Sequence, residues 1–301
     1  MNLLITGAWQ GAAENIKVLE EMGHVVSFLQ FEKDKLPCNY EWIEGVICNS
    51  LFLYHQIEKF KNLQYIQLTS AGYDRVPMEY VKEHNIEIYN ARGVYSIPMA
   101  EFVIGGVLQL YKRMIFFHDN QKHHRWEKHR GLLELCGKTV CIVGCGSVGT
   151  ECAKRFQAFE CNVVGVDLYP KSDENYKEIV NFDKFAEILP KTDILILTLP
   201  LTETSKYLMN SERFALMKQG AILVNIARGA LCDGKALEDA LDNQLAGAVL
   251  DVFEEEPLDG NSRFWNMENV LISPHNSFVG EGNLSRLNRV ILDNAGRICA
   301  S

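Results

Sequence analysis

Along the first ninety residues, short β-rich apolar runs alternate with a helix-like pattern: NLLIT, then AAENIKVLEEMG, HVVSFLQ, GVICNS, LQYIQLT and IEIYNA. Gly23, Gly45 and Gly72 stand where a helix or strand would stop. Alternation of this kind predicts a parallel sheet with helices on both faces. From Ile97 to about Phe117 the chain reads IPMAEFVIGGVLQLYKRMIFF, one long helix with Pro98 near its start, where proline is tolerated. Apolar all round and interrupted only by Gly105-Gly106, it predicts burial between domains or against a second subunit. Residues 118–130, HDNQKHHRWEKHR, read as a solvated basic connector. Its histidines, His118, His123, His124 and His129, lack the four-residue spacing that puts two ligands on one helix face, so no metal is expected. A second alternating series then runs through KTVCIVGCGSVG, CNVVGVD, TDILILTLP, GAILVNIA, LAGAVLDVF and NVLISPH, predicting six strands of another doubly wound sheet. The last stretch, GNLSRLNRVILDNAGRICA, predicts an amphipathic helix.

Bulk composition narrows the partners. A chain of 301 residues suits two domains, and 47% hydrophobic with 23% charged residues is ordinary globular usage. The formal net charge of -9 argues against nonspecific nucleic-acid binding, because lysine and arginine carry phosphate affinity. A small acidic metabolite received by a local cation remains compatible with it. MNLLITGAWQGAAENI offers a short apolar run without a basic leader, and no stretch is long enough to span a bilayer. A soluble cytoplasmic protein with no membrane partner is therefore expected. The nine cysteines, Cys299 among them, contain no C-x-x-C pair and predict reduced, buried thiols.

The strongest local signal is VCIVGCGSVGTECAKRFQAFECNVVGVD. Gly144, Gly146 and Gly149 form G-x-G-x-x-G directly after a strand and at the mouth of a helix, and the next strand closes on Asp167. Strand, glycines, helix, strand and acid in this order are the dinucleotide-binding fingerprint. The glycines let backbone N–H groups and the helix N-terminus approach a pyrophosphate, while Asp167 can accept both ribose hydroxyls. A carboxylate there repels a 2'-phosphate and only Lys171 follows nearby, so NAD(H) is expected over NADP(H). Further on, Arg228, Asp251, Glu256 and His275 all fall at the carboxyl ends of predicted strands, where open α/β sheets bind their ligands. Taken alone, the acidic run in AVLDVFEEEPL reads as a solvated turn.

The motifs TSAGYD, SIPMAEF, GCGSVG, LPLTETSKYLMN, VNIARGAL, GAVLDVFEEEPL and SPH occur in the order and spacing of one family. Across nearly its whole length the chain resembles the D-isomer-specific 2-hydroxyacid dehydrogenases. The resemblance implies an α/β protein of two Rossmann-like doubly wound parallel-sheet domains with a cleft between them. Residues 1–96 with 277–301 would form the flavodoxin-like substrate domain and 97–276 the NAD-binding domain. It implies an NAD-dependent oxidoreductase moving a hydride between NADH and a small 2-keto acid to give a D-2-hydroxy acid. Arg228, Glu256 and His275 are the implied catalytic residues, with Glu254 and Glu255 ordinary turn residues. His275 would give the proton, Glu256 would favour its charged form and orient the ring, and Arg228 would hold carboxylate and carbonyl oxygens. Backbone N–H groups at Ala71 and Gly72 would grip the substrate carboxylate, and the loop bearing Leu51, Phe52 and Tyr54 would face its side chain. The implied cofactor contacts are Ser147 and Val148 beside the glycines, Leu199, Pro200 and Thr204 of the LPLTETS motif, Ile226 and Ala227 before Arg228, and Asp251 at the nicotinamide carboxamide. A homodimer through the 97–117 helix is implied as well. Two alternatives stay open: phosphoglycerate dehydrogenase, with Arg75 or Arg92 receiving a phosphate, and a non-enzymatic NAD-sensing binding protein. Formate dehydrogenase is disfavoured by Glu256, since related enzymes of that kind carry glutamine there.

Overall fold

The computed structural model describes residues 1–299, apart from the Cys299 side chain. The chain divides into two compact units, residues 1–95 with 280–299 and residues 96–279. In the first unit the chain runs β1 (Asn2–Thr6), α1 (Ala12–Glu21), β2 (Val25–Leu29), β3 (Gly45–Cys48), β4 (Tyr65–Leu68), α2 (Met78–Glu83) and β5 (Glu87–Tyr89). The second contains α3 (Ser96–Tyr111), α4 (Met114–Lys122), β6 (Thr139–Val143), α5 (Ser147–Ala158), β7 (Asn162–Asp167), β8 (Glu178–Asn181), α6 (Phe185–Ile188), β9 (Ile194–Leu197), α7 (Ser211–Leu216), β10 (Ile222–Asn225), α8 (Gly234–Asn243), β11 (Gly247–Leu250) and β12 (Val270–Ile272). The last helix, α9 (Asn283–Cys299), returns to the first unit.

The first sheet has five parallel strands in the order β2-β1-β3-β4-β5. Its strands alternate between two apolar layers, as a doubly covered parallel sheet requires. Leu4, Val46, Ile66 and Leu68 enter one layer, while Leu3, Ile5, Ile47 and Tyr65 enter the other together with Leu287, Ile291 and Ala295 of α9. Trp9 Nε1 donates to Asn288 Oδ1 at 2.7 Å and Arg286 Nε donates to the Val94 carbonyl at 2.7 Å, fixing α9 at both sides. The expected helical crossovers are absent on either side of β3, where short 3-10 turns at Tyr40–Trp42, Leu51–Leu53 and Ile57–Lys59 take their place.

The second sheet has seven parallel strands in the order β12-β11-β10-β9-β6-β7-β8, one more than the pattern predicts. The additional β8 is the short edge strand EIVN with no residue fully buried, so it lacks the apolar run that marks the other six. Val140, Ile142, Ile194, Ile196, Val224 and Val249 face a layer holding α3 and α5. Cys141, Val143, Leu195, Leu197, Leu223 and Leu250 face a layer filled by Phe214 of α7 and Leu237 and Leu241 of α8.

The single helix expected from Ile97 to about Phe117 is two helices. Arg113 adopts a left-handed conformation at φ 52°, which ends α3 and starts α4 in a new direction. Gly105-Gly106 does not interrupt α3. A Cβ on Gly106 would lie 2.8 Å from Val249 Cγ1, so glycine there lets the helix lie directly on β11. The all-round apolarity of α3 has an internal explanation: Ala100, Val103, Val107 and Tyr111 are buried within its own unit. The basic segment is helical as far as Lys122 and, except for half-buried His129, exposed from there to Arg130.

Cys48, Cys141, Cys152 and Cys232 are buried and unpaired, but Cys136 is exposed and Cys38, Cys145 and Cys161 are half-buried. The expectation of uniformly buried thiols is corrected accordingly, and the Cys299 side chain lies outside the described residues. Among the described residues no helix is long and apolar enough to cross a membrane.

Candidate active site

The three glycines after β6 differ in what a side chain at each would meet. Gly144 sits at φ 97°, and a Cβ there would lie 2.7 Å from the Leu199 nitrogen. At Gly149 it would lie 2.2 Å from the Gly144 carbonyl oxygen, so the first turn of α5 packs on the end of β6. Nothing lies within 4 Å of the corresponding point at Gly146, which leaves an open cradle at the N-terminus of a 12-residue helix. That combination of open backbone and helix dipole suits a pyrophosphate.

Asp167, the last residue of β7, accepts from Cys145 N at 2.8 Å and from Tyr169 N at 2.9 Å, tying the glycine loop to its neighbour strand. Thr198 Oγ1 donates to the Gly144 carbonyl at 2.7 Å. Burial pushes the Cys145 thiol up to about 12, so this loop cysteine is no nucleophile at neutral pH. Ser147 Oγ is 2.8 Å from Ser96 Oγ and Val148 packs beside the α3 layer. Leu199 abuts Gly144 through its backbone, Pro200 is exposed with its carbonyl accepting from Ser205 Oγ at 2.8 Å, and exposed Thr204 pairs with Thr202. Ile226 and Ala227 are buried, at 2% and 8% exposure. The residues present fit a dinucleotide.

Three further strand ends lie side by side, with Asn225 of β10 opposite Leu250 of β11 and Leu250 opposite Ile272 of β12. Asn225, 1% exposed, wraps the loop after β10: its Nδ2 donates to the Arg228 carbonyl at 2.9 Å and its Oδ1 accepts from Ala227 N at 3.2 Å. Arg228 Nη1 donates to the Ala227 carbonyl at 2.7 Å. A Cβ on Gly229 would fall 1.9 Å from the Phe253 carbonyl carbon. The Arg228 loop and the turn carrying Glu256 therefore meet backbone to backbone, which glycine alone permits.

Glu256 holds two groups at once. Its Oε1 accepts from Phe253 N at 3.1 Å and its Oε2 lies 2.8 Å from His275 Nδ1. A carboxylate acceptor favours the proton on Nδ1, so that Nε2 is the ring nitrogen turned away from Glu256. Both side chains are partly open, at 43% for His275 and 38% for Glu256. His275 itself has φ 51°, a left-handed conformation uncommon outside glycine and asparagine.

What supports that conformation is Asp251, in a use other than the expected cofactor contact. Its carboxylate is 0% exposed and lies under the loop after β12. Oδ1 accepts from Ser273 Oγ, from Asn276 N at 2.7 Å and from Ser277 N at 3.1 Å, while Oδ2 accepts from Ser277 N at 3.0 Å. Its carbonyl accepts from His275 N at 2.8 Å. With every oxygen committed to the loop, Asp251 is the base on which His275 stands. Glu254 also departs from its expected bland role: Oε1 accepts from Gly234 N at the start of α8 and Oε2 from Tyr207 Oη, both at 2.8 Å. Glu255 is exposed, as a turn residue should be.

In the first unit, Leu51 is corrected. It is 0% exposed and part of the core, because the 3-10 turn rolls it inward, so it cannot face a ligand. Phe52 is half-buried edge-on to Phe60 with centroids 5.8 Å apart, whereas Leu53 and Tyr54 are 61% and 57% exposed. At the 70–72 loop the carbonyls of Ala71 and Gly72 accept from Asn90 Nδ2 at 2.6 Å and Ser70 Oγ at 3.1 Å. The sequence reading missed Asn225, Gly229, Ser273 and Leu53. Asn225 and Gly229 carried a signal, a polar residue closing an apolar strand and a glycine just after the arginine.

The profile described as the D-isomer specific 2-hydroxyacid dehydrogenase NAD binding domain matches residues 104–277, more than half of the chain. A D-3-phosphoglycerate dehydrogenase of Methanocaldococcus jannaschii is 34% identical over 265 residues, 86% of this chain and 50% of that protein. A glyoxylate reductase of Thermofilum pendens is 34% identical over 221 residues, 71% of this chain and 65% of the relative. The chain thus spans about half the length of the first and just under two thirds of the second. A solved D-isomer specific 2-hydroxyacid dehydrogenase family protein of Aeromonas salmonicida superposes with a TM-score of 0.81 at 26% identity, covering 99% of this chain and 94% of that one.

Proposed function

Because the chain belongs to the D-isomer specific 2-hydroxyacid dehydrogenase family, we propose that it reduces a small 2-keto acid to the D-2-hydroxy acid with NADH. The observation that carries the reading is the 2.8 Å pair of Glu256 and His275 beside the Arg228 loop. The Gly144–Gly149 loop at the start of α5 would hold NADH, whose chemistry there would be supply of a hydride. As negative charge develops on the carbonyl oxygen, protonated His275 gives up the Nε2 proton while Glu256 keeps the ring oriented through Nδ1. Arg228 stays charged throughout and stabilises the same oxygen and the neighbouring carboxylate. The N–H groups of Ala71 and Gly72 are assigned to the substrate carboxylate. A cytoplasmic setting suits this nicotinamide chemistry and the eight unpaired cysteines described.

Loss of nicotinamide absorbance with glyoxylate, hydroxypyruvate, pyruvate, phenylpyruvate, 2-ketoisocaproate and 3-phosphohydroxypyruvate tests it. NADH-dependent turnover of the unphosphorylated acids is expected. Preference for the phosphorylated acid would move the reading to a phosphoglycerate dehydrogenase, and tight NADH binding without any turnover to a sensor.

A homodimer completes the proposal, moved from α3 to α4 and the arm that follows it. Trp126 is 98% exposed, Met114 and Ile115 are 51% and 48%, and both polar atoms of the Asn120 side chain are buried without a partner. Lys122, Arg125, Lys128 and Arg130 make this stretch basic in a chain of net charge -9, so a second copy offers complementary charge. Sedimentation of the wild type at micromolar concentration should give a dimer, and Trp126→Glu a monomer. A wild-type monomer at that concentration rejects the assignment.

A further inference from the structure

The first sheet reverses direction between β1 and β3: from β1 the chain steps to β2 on one side, and β3 lies on the other. Ligands of open α/β sheets bind outside the carboxyl ends of the strands at such a reversal. The loops after β1 and β3 are therefore the place in this unit to look for control of a ligand. One side chain binds both. Glu32, just past β2, accepts from Thr6 Oγ1 at 2.8 Å and from Asn49 N at 2.6 Å on Oε1, and from Ser50 N at 2.6 Å on Oε2. Its own backbone is fixed in turn, with the Glu32 carbonyl 2.9 Å from His55 Nε2 and His55 Nδ1 2.9 Å from Tyr40 Oη. A buried histidine at 8% exposure with a hydroxyl on one nitrogen and a carbonyl on the other holds Glu32 to a single position. Glu32 is thus a charged staple across the ends of β1, β2 and β3. Immediately beyond it the chain presents Leu53 and Tyr54 to solvent at 61% and 57% exposure.

We propose that Glu32 is a positioning residue for substrate selectivity: by clamping Asn49 and Ser50 it sets where Leu53 and Tyr54 stand, and those two form the wall against the side chain of the 2-keto acid. The inference rests on the reductase reading above. Glyoxylate has only hydrogen in place of a side chain, so its turnover should be indifferent to this wall, whereas phenylpyruvate and 2-ketoisocaproate should not.

Glu32→Gln keeps the shape but turns an amide nitrogen toward one of the two backbone donors, so one charge-assisted bond is lost and the turn loosens. The ratio of kcat/KM for 2-ketoisocaproate to that for glyoxylate should change by about tenfold, through KM rather than kcat, as expected for loss of one such bond. NADH affinity and glyoxylate kcat should hold, which a general loss of folding would not allow. Thr6→Val weakens the same carboxylate from the other side and should move the ratio in the same direction by less. It carries the test if Glu32→Gln does not fold. An unchanged ratio in the variant that folds, beside a wild type active on both acids, overturns the inference alone. A wild type that reduces none of the acids overturns it together with the reductase reading.

Discussion

His275→Ala should lower kcat with the preferred 2-keto acid by about 10² to 10⁴-fold, the usual contribution of a positioned general acid. NADH affinity should be unchanged, because the Gly144–Gly149 loop and Asp167 stand on β6, α5 and β7 and owe nothing to the loop after β12. Glu256→Gln separates the proton from the geometry. Glutamine can still accept from Nδ1 through its carbonyl oxygen, but a neutral partner gives up the charge-assisted part of a bond worth about 1.5–3 kcal/mol. A loss of roughly ten- to a hundredfold follows, smaller than that of the histidine variant. Steady-state rates and an NADH fluorescence titration measure both quantities. A His275→Ala protein within fivefold of wild type would mean that the proton comes from elsewhere.

Asp251→Ala is expected to be nearly as damaging to turnover and much more damaging to the fold. It strips the acceptor from Ser273 Oγ, Asn276 N and Ser277 N beneath a buried loop, each orphaned donor costing about 1–3 kcal/mol. The left-handed His275 loses the base that holds it. The urea midpoint should fall by the equivalent of about 3–5 kcal/mol, the range for breaking a buried charged network. Asp251→Asn retains one good acceptor, Oδ1, and turns an amide donor toward Ser277 N. It should fold, bind NADH normally and show kcat reduced by about tenfold, as for one impaired hydrogen bond to a charge. Unaltered kcat in Asp251→Asn would show that the carboxylate does not place His275.

Much of this was legible from residue type and spacing. Strands such as ILIL and TVCIV are buried on both faces and announce themselves as continuous apolar runs. The edge strand EIVN is half-exposed and does not. The break between α3 and α4 was hidden because Lys112-Arg113 looks like ordinary helix surface, and only φ 52° at Arg113 reveals the stop. Glycine spacing placed the dinucleotide loop, since its cause is local. Arg228, Glu256 and His275 could be collected at strand ends for the same reason, but the 2.8 Å contact between the last two spans separate strands and is a product of register. The loop contacts of Asp251 were hidden because a carboxylate at a strand end looks available to a ligand. Its partners are the Ser273 hydroxyl and two backbone N–H groups, 22 to 26 residues away, which no local sequence pattern records. Leu51 failed for a narrower reason: a 3-10 turn rotates successive side chains by about 120°, so which of Leu51, Phe52 and Leu53 points inward depends on where the turn starts.

The docking of α9 on the first sheet fixes an order of events during synthesis. Leu287, Ile291 and Ala295 complete an apolar layer begun by Leu3 and Ile5, and Trp9 waits for Asn288, 279 positions later. When the first 95 residues leave the ribosome they lack a wall of their own core. Residues 96–279 have every strand and helix of theirs before α9 is made. The middle of this chain is the part equipped to fold first, while residues 1–95 keep an open apolar layer until α9 follows.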